Sequence, residues 1–213
     1  MKPDVSSKTA VLPRQRVGRR IAADLLGVGL FVSLMSLGAH VRIPLWPVPV
    51  TLQTLFVPLA GLMLGARLGA VSMGAYLALG LCGAPVFSMG GGPAYVASPT
   101  FGYMLAFPAA AWLAGRIGRT KRLAVWRIAL ANVAAHAVIF AVGVPWLAGW
   151  FAVTDKAAWT AAAGQGFLPF LPGMAYKIAA GTAAAAAGWL PARRLWPTMP
   201  NTREESTGRT TES

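Results

Sequence analysis

Long apolar runs, separated by short polar or glycine- and proline-rich stretches, dominate the sequence from Ile21 onward. Six of them have helical length: Ile21 to Ala39, Leu52 to Leu64, Ala70 to Cys82, Thr100 to Gly115, Ile128 to Val144 and Pro169 to Trp189. A membrane-spanning helix needs ~20 mostly apolar residues, so six take ~120 and leave only loops and two tails. The pattern predicts an all-α membrane protein of six transmembrane helices. The second run is short, which predicts tilt or partial penetration. Between the runs, Arg42 to Val50 carries Pro44, Pro47 and Pro49 and is expected to be extended. Thr51 is placed to cap the second helix. Gly65-Ala66-Arg67-Leu68-Gly69 reads as a tight turn. Gly83 to Pro99 has no charge, and its glycines and prolines break regular structure. Irregular backbone at the membrane is tolerated where it is buried or lines a cavity, so this loop is expected to fold back onto the bundle. Pro145 to Leu168 reads as a longer connection whose Trp146, Trp150 and Trp159 suit the interface.

Composition sharpens this. Of the 213 residues, 56% are apolar and 12% charged, against ~25% charged in soluble domains. The net charge is +13, but the basic residues are clumped rather than spread over a surface, which argues against a nucleic-acid partner. From Ile21 to Gly115 the charged residues are Asp24, Arg42 and Arg67 alone. Residues 1–20 form a basic tail, 21–190 the transmembrane domain, and 191–213 a polar tail expected to be disordered. The first apolar run follows a long basic stretch and reaches Ala39, so it reads as a retained span rather than a cleaved signal. With six spans both termini share a side, and that side carries 16 of the 19 Lys and Arg residues. The positive-inside rule then makes both termini cytoplasmic, in a multi-pass protein of the cell membrane. Cys82 stands alone, so no disulfide within the chain is available.

Enzyme chemistry finds little footing. The chain has no Gly-x4-Gly-Lys-Ser/Thr phosphate loop, no Gly-x-Ser-x-Gly elbow and no His-Glu-x-x-His. His40 and His136 lie on different spans with no intramembrane carboxylate to join them, so no metal, cofactor or acid–base site is expected. The informative residue is Lys177, about eight residues into an apolar run, where a lysine costs ~2.5–3.5 kcal/mol unless paired or hydrated. It either snorkels to the interface or, the favoured reading, faces a cavity that receives an anionic group. Thr51 and Gln53 open the second helix. Thr51 reads mainly as a cap, and Gln53 equally as a ligand contact or a helix-to-helix hydrogen bond. Trp46, Phe87, Tyr95, Phe101 and Tyr103 gather near the Gly-rich loop as an apolar pocket or an aromatic belt. Tyr95 and Tyr103 flank Ser98-Pro99-Thr100, which favours the pocket. Ala22, Ala23, Gly27, Gly29 and Ser33 form a small-residue surface for internal packing or for a second membrane subunit. Asn132 and His136 share a helix face, and an interhelical hydrogen bond is the favoured reading.

The run Ile43-Pro44-Leu45-Trp46-Pro47-Val48-Pro49-Val50-Thr51-Leu52-Gln53-Thr54 resembles the signature of the BioY family. Its members are biotin-specific substrate-binding (S) components of energy-coupling factor (ECF) transporters. Further similar segments follow in order: Leu59 to Gly69, Gly83-Ala84-Pro85-Val86-Phe87, Ser98-Pro99-Thr100-Phe101-Gly102-Tyr103, Gly143-Val144-Pro145-Trp146-Leu147, and Leu171-Pro172-Gly173 with Lys177. The resemblance implies a six-helix S-component bundle that binds biotin from the outer side. It assigns substrate contacts to Lys177, Gln53, Thr51, Trp46, Phe87, Tyr95, Thr100, Tyr103 and Asn132, with Gly83 to Pro99 as a lid. It also implies docking of an ECF coupling subunit with two ATPases through Ala22, Ala23 and Gly27, and leaves a homo-oligomer open. The family commonly carries Pro-Gly-Asp-x-x-Lys, whereas this chain has Met174 in place of the Asp. Another acceptor is then needed, such as Gln53, Asn132 or a backbone carbonyl, or else the ligand is a biotin relative or binds less tightly. An S component for thiamine or riboflavin, and a non-transporting membrane scaffold, are the alternatives.

Overall fold

The computed structural model describes residues 14–120, 123–152 and 158–195. Most of the basic N-terminal tail, Lys121, Arg122, Asp155, Lys156 and the polar tail after Leu195 lie outside the described residues. In chain order the elements are α1 (Arg14–His40), β1 (Arg42–Ile43), β2 (Val50–Thr51), α2 (Gln53–Leu64) and α3 (Ala66–Leu81). They continue with a 3-10 turn (Pro93–Ala97), α4 (Phe101–Leu105), α5 (Phe107–Gly118), α6 (Val125–Ala152), α7 (Ala158–Gly166), a second 3-10 turn (Leu168–Phe170) and α8 (Leu171–Leu195). Helices α1, α2, α3, the α4–α5 pair, α6 and α8 make six passes, so the six expected helices are present. Among the described residues two stretches, Arg20–His40 and Val125–Ala152, are both long and apolar enough to cross a membrane alone, each with mean hydropathy 1.9.

Helix α1 shows how the bundle separates its faces. Gly27, Phe31, Met35 and Ala39 recur every fourth residue and are buried, whereas Leu25, Leu26, Leu30 and Leu37 point outward. An outward row of leucines is tolerable only in an apolar surrounding. Helix α5 is the central element, lying against α2, α3 and α6. Its approach is backbone to backbone: a side chain at Gly61 would strike the Ala111 carbonyl, and one at Gly115 would come within 2.5 Å of the Ala66 nitrogen. Small residues allow such contact, and the dispersion gained holds helices together where lipid offers no hydrophobic drive.

Several boundaries differ from the sequence expectation. The turn before α3 is one residue, Gly65 at φ 93°, and Arg67 already lies in the helix. The fourth pass is broken at Ala106, with Pro108 in the first turn of α5, where its missing N–H leaves no helical bond unmade. Helix α6 runs through Pro145 to Ala152, so the expected connection is half helix, and α7 occupies much of its remainder. Pro145 itself is exposed on the outer side of α6. Helix α8 begins at Leu171 and continues past Arg193 to Leu195.

The extended stretch after α1 closes as an antiparallel hairpin, pairing Arg42 with Thr51 and Ile43 with Val50. The Leu52 amide donates to the carbonyls of Gly38 (3.0 Å) and Val41 (3.2 Å), fastening the hairpin to the end of α1. The Gly83 to Pro99 loop lies at this same end as an ordered flap. Gly83, Gly90 and Gly92 take φ values between 104° and 108°, a region that side chains disfavour. The Gly92 amide donates to the Gly80 carbonyl at 2.7 Å, which returns the flap to α3. The Arg42 guanidinium donates to the Ser88 carbonyl and clips flap to hairpin.

Candidate functional site

A narrow cavity of about 40 Å³ lies beneath the hairpin and flap. That is room for a few waters and well below the ~300–1,000 Å³ of small-molecule sites, so a ligand of that size enters only as the flap or the lining side chains shift. Val48, Pro49 and Thr51 come from the hairpin, Gln53 and Thr54 from α2, and Ser88 from the flap. Thr100, Tyr103, Met104 and Phe107 come from α4–α5, Ile139 and Phe140 from α6, and Phe170 and Lys177 from the α8 end. Polar groups gather on the side of the hairpin and α2, and aromatic rings on the side of α4–α5, α6 and the start of α8.

Lys177 is 6% exposed. Its Nζ donates to the Thr51 carbonyl at 2.6 Å and to Thr54 Oγ1 at 3.0 Å. Both partners are neutral, and no carboxylate among the described residues pairs with the ammonium. An ammonium has three donors, so one is left for whatever enters. The cation is therefore held inside the bundle rather than extended to a headgroup layer.

Gln53 ties three elements together. Its Oε1 accepts from Thr51 Oγ1 at 3.1 Å, and its Nε2 donates to the Tyr76 hydroxyl at 2.6 Å. Tyr76 in turn donates to the Val86 carbonyl of the flap at 2.9 Å. The Thr51 hydroxyl is thus bound to Gln53 and does not cap α2, whose first flanking residue is Leu52 with no side-chain cap. On the flap side, Tyr95 Oη lies 3.2 Å from Ser88 Oγ and accepts from Thr100 Oγ1 at 3.3 Å.

The wall facing them is aromatic. The Tyr103 ring stacks on Phe170 with centroids 6.3 Å apart and meets Phe140 edge-on at 6.0 Å. Its hydroxyl donates to the Gly166 carbonyl at 2.9 Å. The ring fits there because Gly143 has no side chain, which would otherwise collide with it. A ligand in this space meets rings on one side and hydrogen-bonding groups on the other.

The structure brings Lys177, Gln53, Thr51, Thr100 and Tyr103 to one cavity. Phe87 and Tyr95 stand behind it. Phe87 is fully buried, wedged against Tyr76 and Tyr95 with centroids 5.4 and 4.6 Å away. Trp46 does not reach the cavity: it is 73% exposed and meets Trp150 edge-on at 6.1 Å. Phe101 packs on Trp146 instead. Asn132 lies deeper between α6 and α8, where its Nδ2 donates to the Ile128 carbonyl and, at 3.3 Å, to Thr182 Oγ1. That interhelical bond is the one expected from the sequence. His136 Nδ1 donates to the Asn132 carbonyl at 2.9 Å. Met174 is half-buried against the core and lines no part of the cavity. On α1, Ala22 is exposed, Ala23 half-buried, and Gly27 turned into the bundle.

Sequence reasoning missed Thr54, Ser88, Met104, Phe107, Ile139, Phe140 and Phe170. Thr54 alone carried a signal, as a hydroxyl one residue beyond Gln53 in an apolar run. The rings and aliphatics look like any other core residue until the helices are assembled.

Comparison with known proteins gives a consistent picture. The model of the family described as "BioY family" matches residues 7–194. A probable biotin transporter BioY of Lysinibacillus sphaericus is 38% identical over 183 residues, spanning 84% of this chain and 90% of the relative. A second, from Pyrococcus horikoshii, is 44% identical over 128 residues, spanning 60% of this chain and 75% of the relative. Among solved structures, the S-component for biotin from an ECF-type ABC transporter superposes with a TM-score of 0.65. It shares 22% identity, and the match covers 82% of this chain and 92% of the other. At that identity the structural likeness establishes the fold.

Proposed function

The chain belongs to the BioY family, a family of membrane transporters, and from that premise we propose that it takes up biotin as the substrate-binding component of an ECF-type transporter. The observation that carries the reading is the Lys177 ammonium. It is buried, without a carboxylate partner among the described residues, and turned to the cavity between hairpin, flap and helices. A cation so placed destabilises the empty bundle. A ligand carboxylate or carbonyl oxygen offsets that cost by accepting its remaining N–H.

Biotin combines an apolar body with polar ends, and the cavity divides in the same way. Tyr103, Phe107, Phe140 and Phe170 supply apolar cover. Thr51, Gln53, Ser88 and Thr100 supply hydrogen-bonding groups near Lys177. The two Gln53 functions are already engaged with Thr51 and Tyr76, so Gln53 acts first by holding the Thr51 carbonyl and the flap in place. The flap is the lid, and the Arg42 contact to Ser88 is its latch. In the cell membrane the charge bias of the sequence orients both termini to the cytoplasm and the cavity outward. A coupling subunit with two ATPases supplies the energy, in keeping with the lack of a phosphate loop in this chain.

Titration of the purified protein with biotin, thiamine and riboflavin tests the assignment. Saturable binding of biotin alone is expected. Saturable binding of either other vitamin, or of none, refutes it.

A further inference from the structure

We propose that the adjoining ends of α5 and α6, at the end of the bundle opposite the cavity, form a binding site for the phosphate headgroup of an anionic phospholipid. Two arginine–tryptophan pairs build it. The Arg116 guanidinium lies 5.3 Å over the Trp112 ring, and that of Arg127 lies 5.7 Å over Trp126. Both indoles face outward, Trp112 at 45% and Trp126 at 68% exposure. The pairs sit on adjacent helix ends joined directly, because Arg127 Nε donates to the Ile117 carbonyl at 3.2 Å. That bond satisfies one of the orphan carbonyls at the end of α5 and brings Arg127 beside the neighbour of Arg116.

Among the described residues these cations meet no counter-charge. Residues 25–154 contain no Asp or Glu, and neither Arg116 nor Arg127 forms an ion pair among the described residues. Exposed tryptophans settle at the headgroup level of a bilayer. A guanidinium stacked on such a ring is held at that same depth, where lipid phosphates lie. The planar fork of arginine binds phosphate oxygens in a bidentate manner. Basic pockets between helix ends are a known form of lipid headgroup site. The charge, the depth and the donor geometry therefore agree on one occupant, independently of what fills the cavity.

The test uses the full chain purified in detergent, offered phosphatidylglycerol or phosphatidylcholine, with retained lipid counted by native mass spectrometry. Wild type is expected to retain phosphatidylglycerol at least fivefold over phosphatidylcholine. The double variant Arg116→Gln/Arg127→Gln is expected to lose that preference with unchanged helix content by circular dichroism. Should the double variant fail to fold, Arg116→Gln alone, which keeps the bond to Ile117, is expected to lower the preference at least twofold. Equal retention of both lipids by wild type overturns the proposal, as does an undiminished preference in the folded variants. Loss of a co-purifying polypeptide with lipid preference intact assigns the surface to a protein partner and overturns it as well.

Discussion

Lys177 Nζ and the carbonyl oxygen of Thr51 lie 2.6 Å apart although 126 positions separate them in sequence. This contact closes α8 onto the hairpin and sets the ammonium at the wall of the cavity. Thr51 is itself held by the pairing of β2 and by its hydroxyl bond to Gln53. The charge at the cavity wall is thus positioned by backbone, and the backbone by a side-chain chain that ends in the flap.

Thr54 is the second acceptor for that ammonium, at 3.0 Å. A hydrogen bond to a charged group contributes ~1.5–3 kcal/mol. Thr54→Val is expected to weaken biotin binding by about tenfold on that scale, whereas Thr54→Ser keeps the hydroxyl and the affinity. Isothermal titration of the two variants separates the hydroxyl from the methyl group.

Tyr76 lies outside the cavity lining yet joins Gln53 to Val86. Tyr76→Phe leaves the buried Gln53 Nε2 without its acceptor and the Val86 carbonyl without its donor. Stranded polar groups cost ~1–3 kcal/mol each. Thermal unfolding in detergent should show a lowered midpoint, together with weaker biotin binding as the flap and the Thr51 segment loosen.

Arg42 clips the hairpin to the flap from an exposed position. Arg42→Gln is expected to raise the biotin dissociation rate severalfold while the unfolding midpoint stays near that of wild type. Stopped-flow chase with unlabelled biotin measures the rate.

Glycine contacts give a stability contrast free of the ligand. Gly61→Ala drives a methyl group into the Ala111 carbonyl, and overpacking of this kind costs ~1–3 kcal/mol. Gly29→Ala meets nothing within 4 Å and is expected to leave stability unchanged or improve it by up to ~1 kcal/mol through helix propensity. Unfolding midpoints of the two variants should move in opposite directions or differ clearly in size.

Much of this architecture can be read from hydropathy, because helices in an apolar surrounding must be apolar for most of their length. What misleads are the punctuating residues. Pro145 reads as a helix end, yet α6 passes through it and stays helical to Ala152. Gly65 to Gly69 reads as a five-residue turn, yet Gly65 alone supplies the reversal and Gly69 serves helix packing. Lys177, Gln53, Thr51 and Thr100 are visible in the sequence because polarity within an apolar run is costly and demands a reason. Phe107, Phe140 and Phe170 are invisible because aromatic rings in apolar spans are ordinary. Trp46 shows the converse, for its place within the signature segment does not distinguish cavity from rim. Only the fold turns its ring towards Trp150.

The account rests on a charge kept inside the bundle for a ligand. Lys177→Met keeps the length and apolar stem of the side chain and removes the charge, so biotin titration and thermal unfolding of this variant bear on the claim directly. Affinity is expected to fall at least 100-fold while the ligand-free midpoint stays level or rises, because a buried cation costs ~2.5–3.5 kcal/mol on insertion scales. Wild-type affinity in the folded Lys177→Met protein would contradict the account.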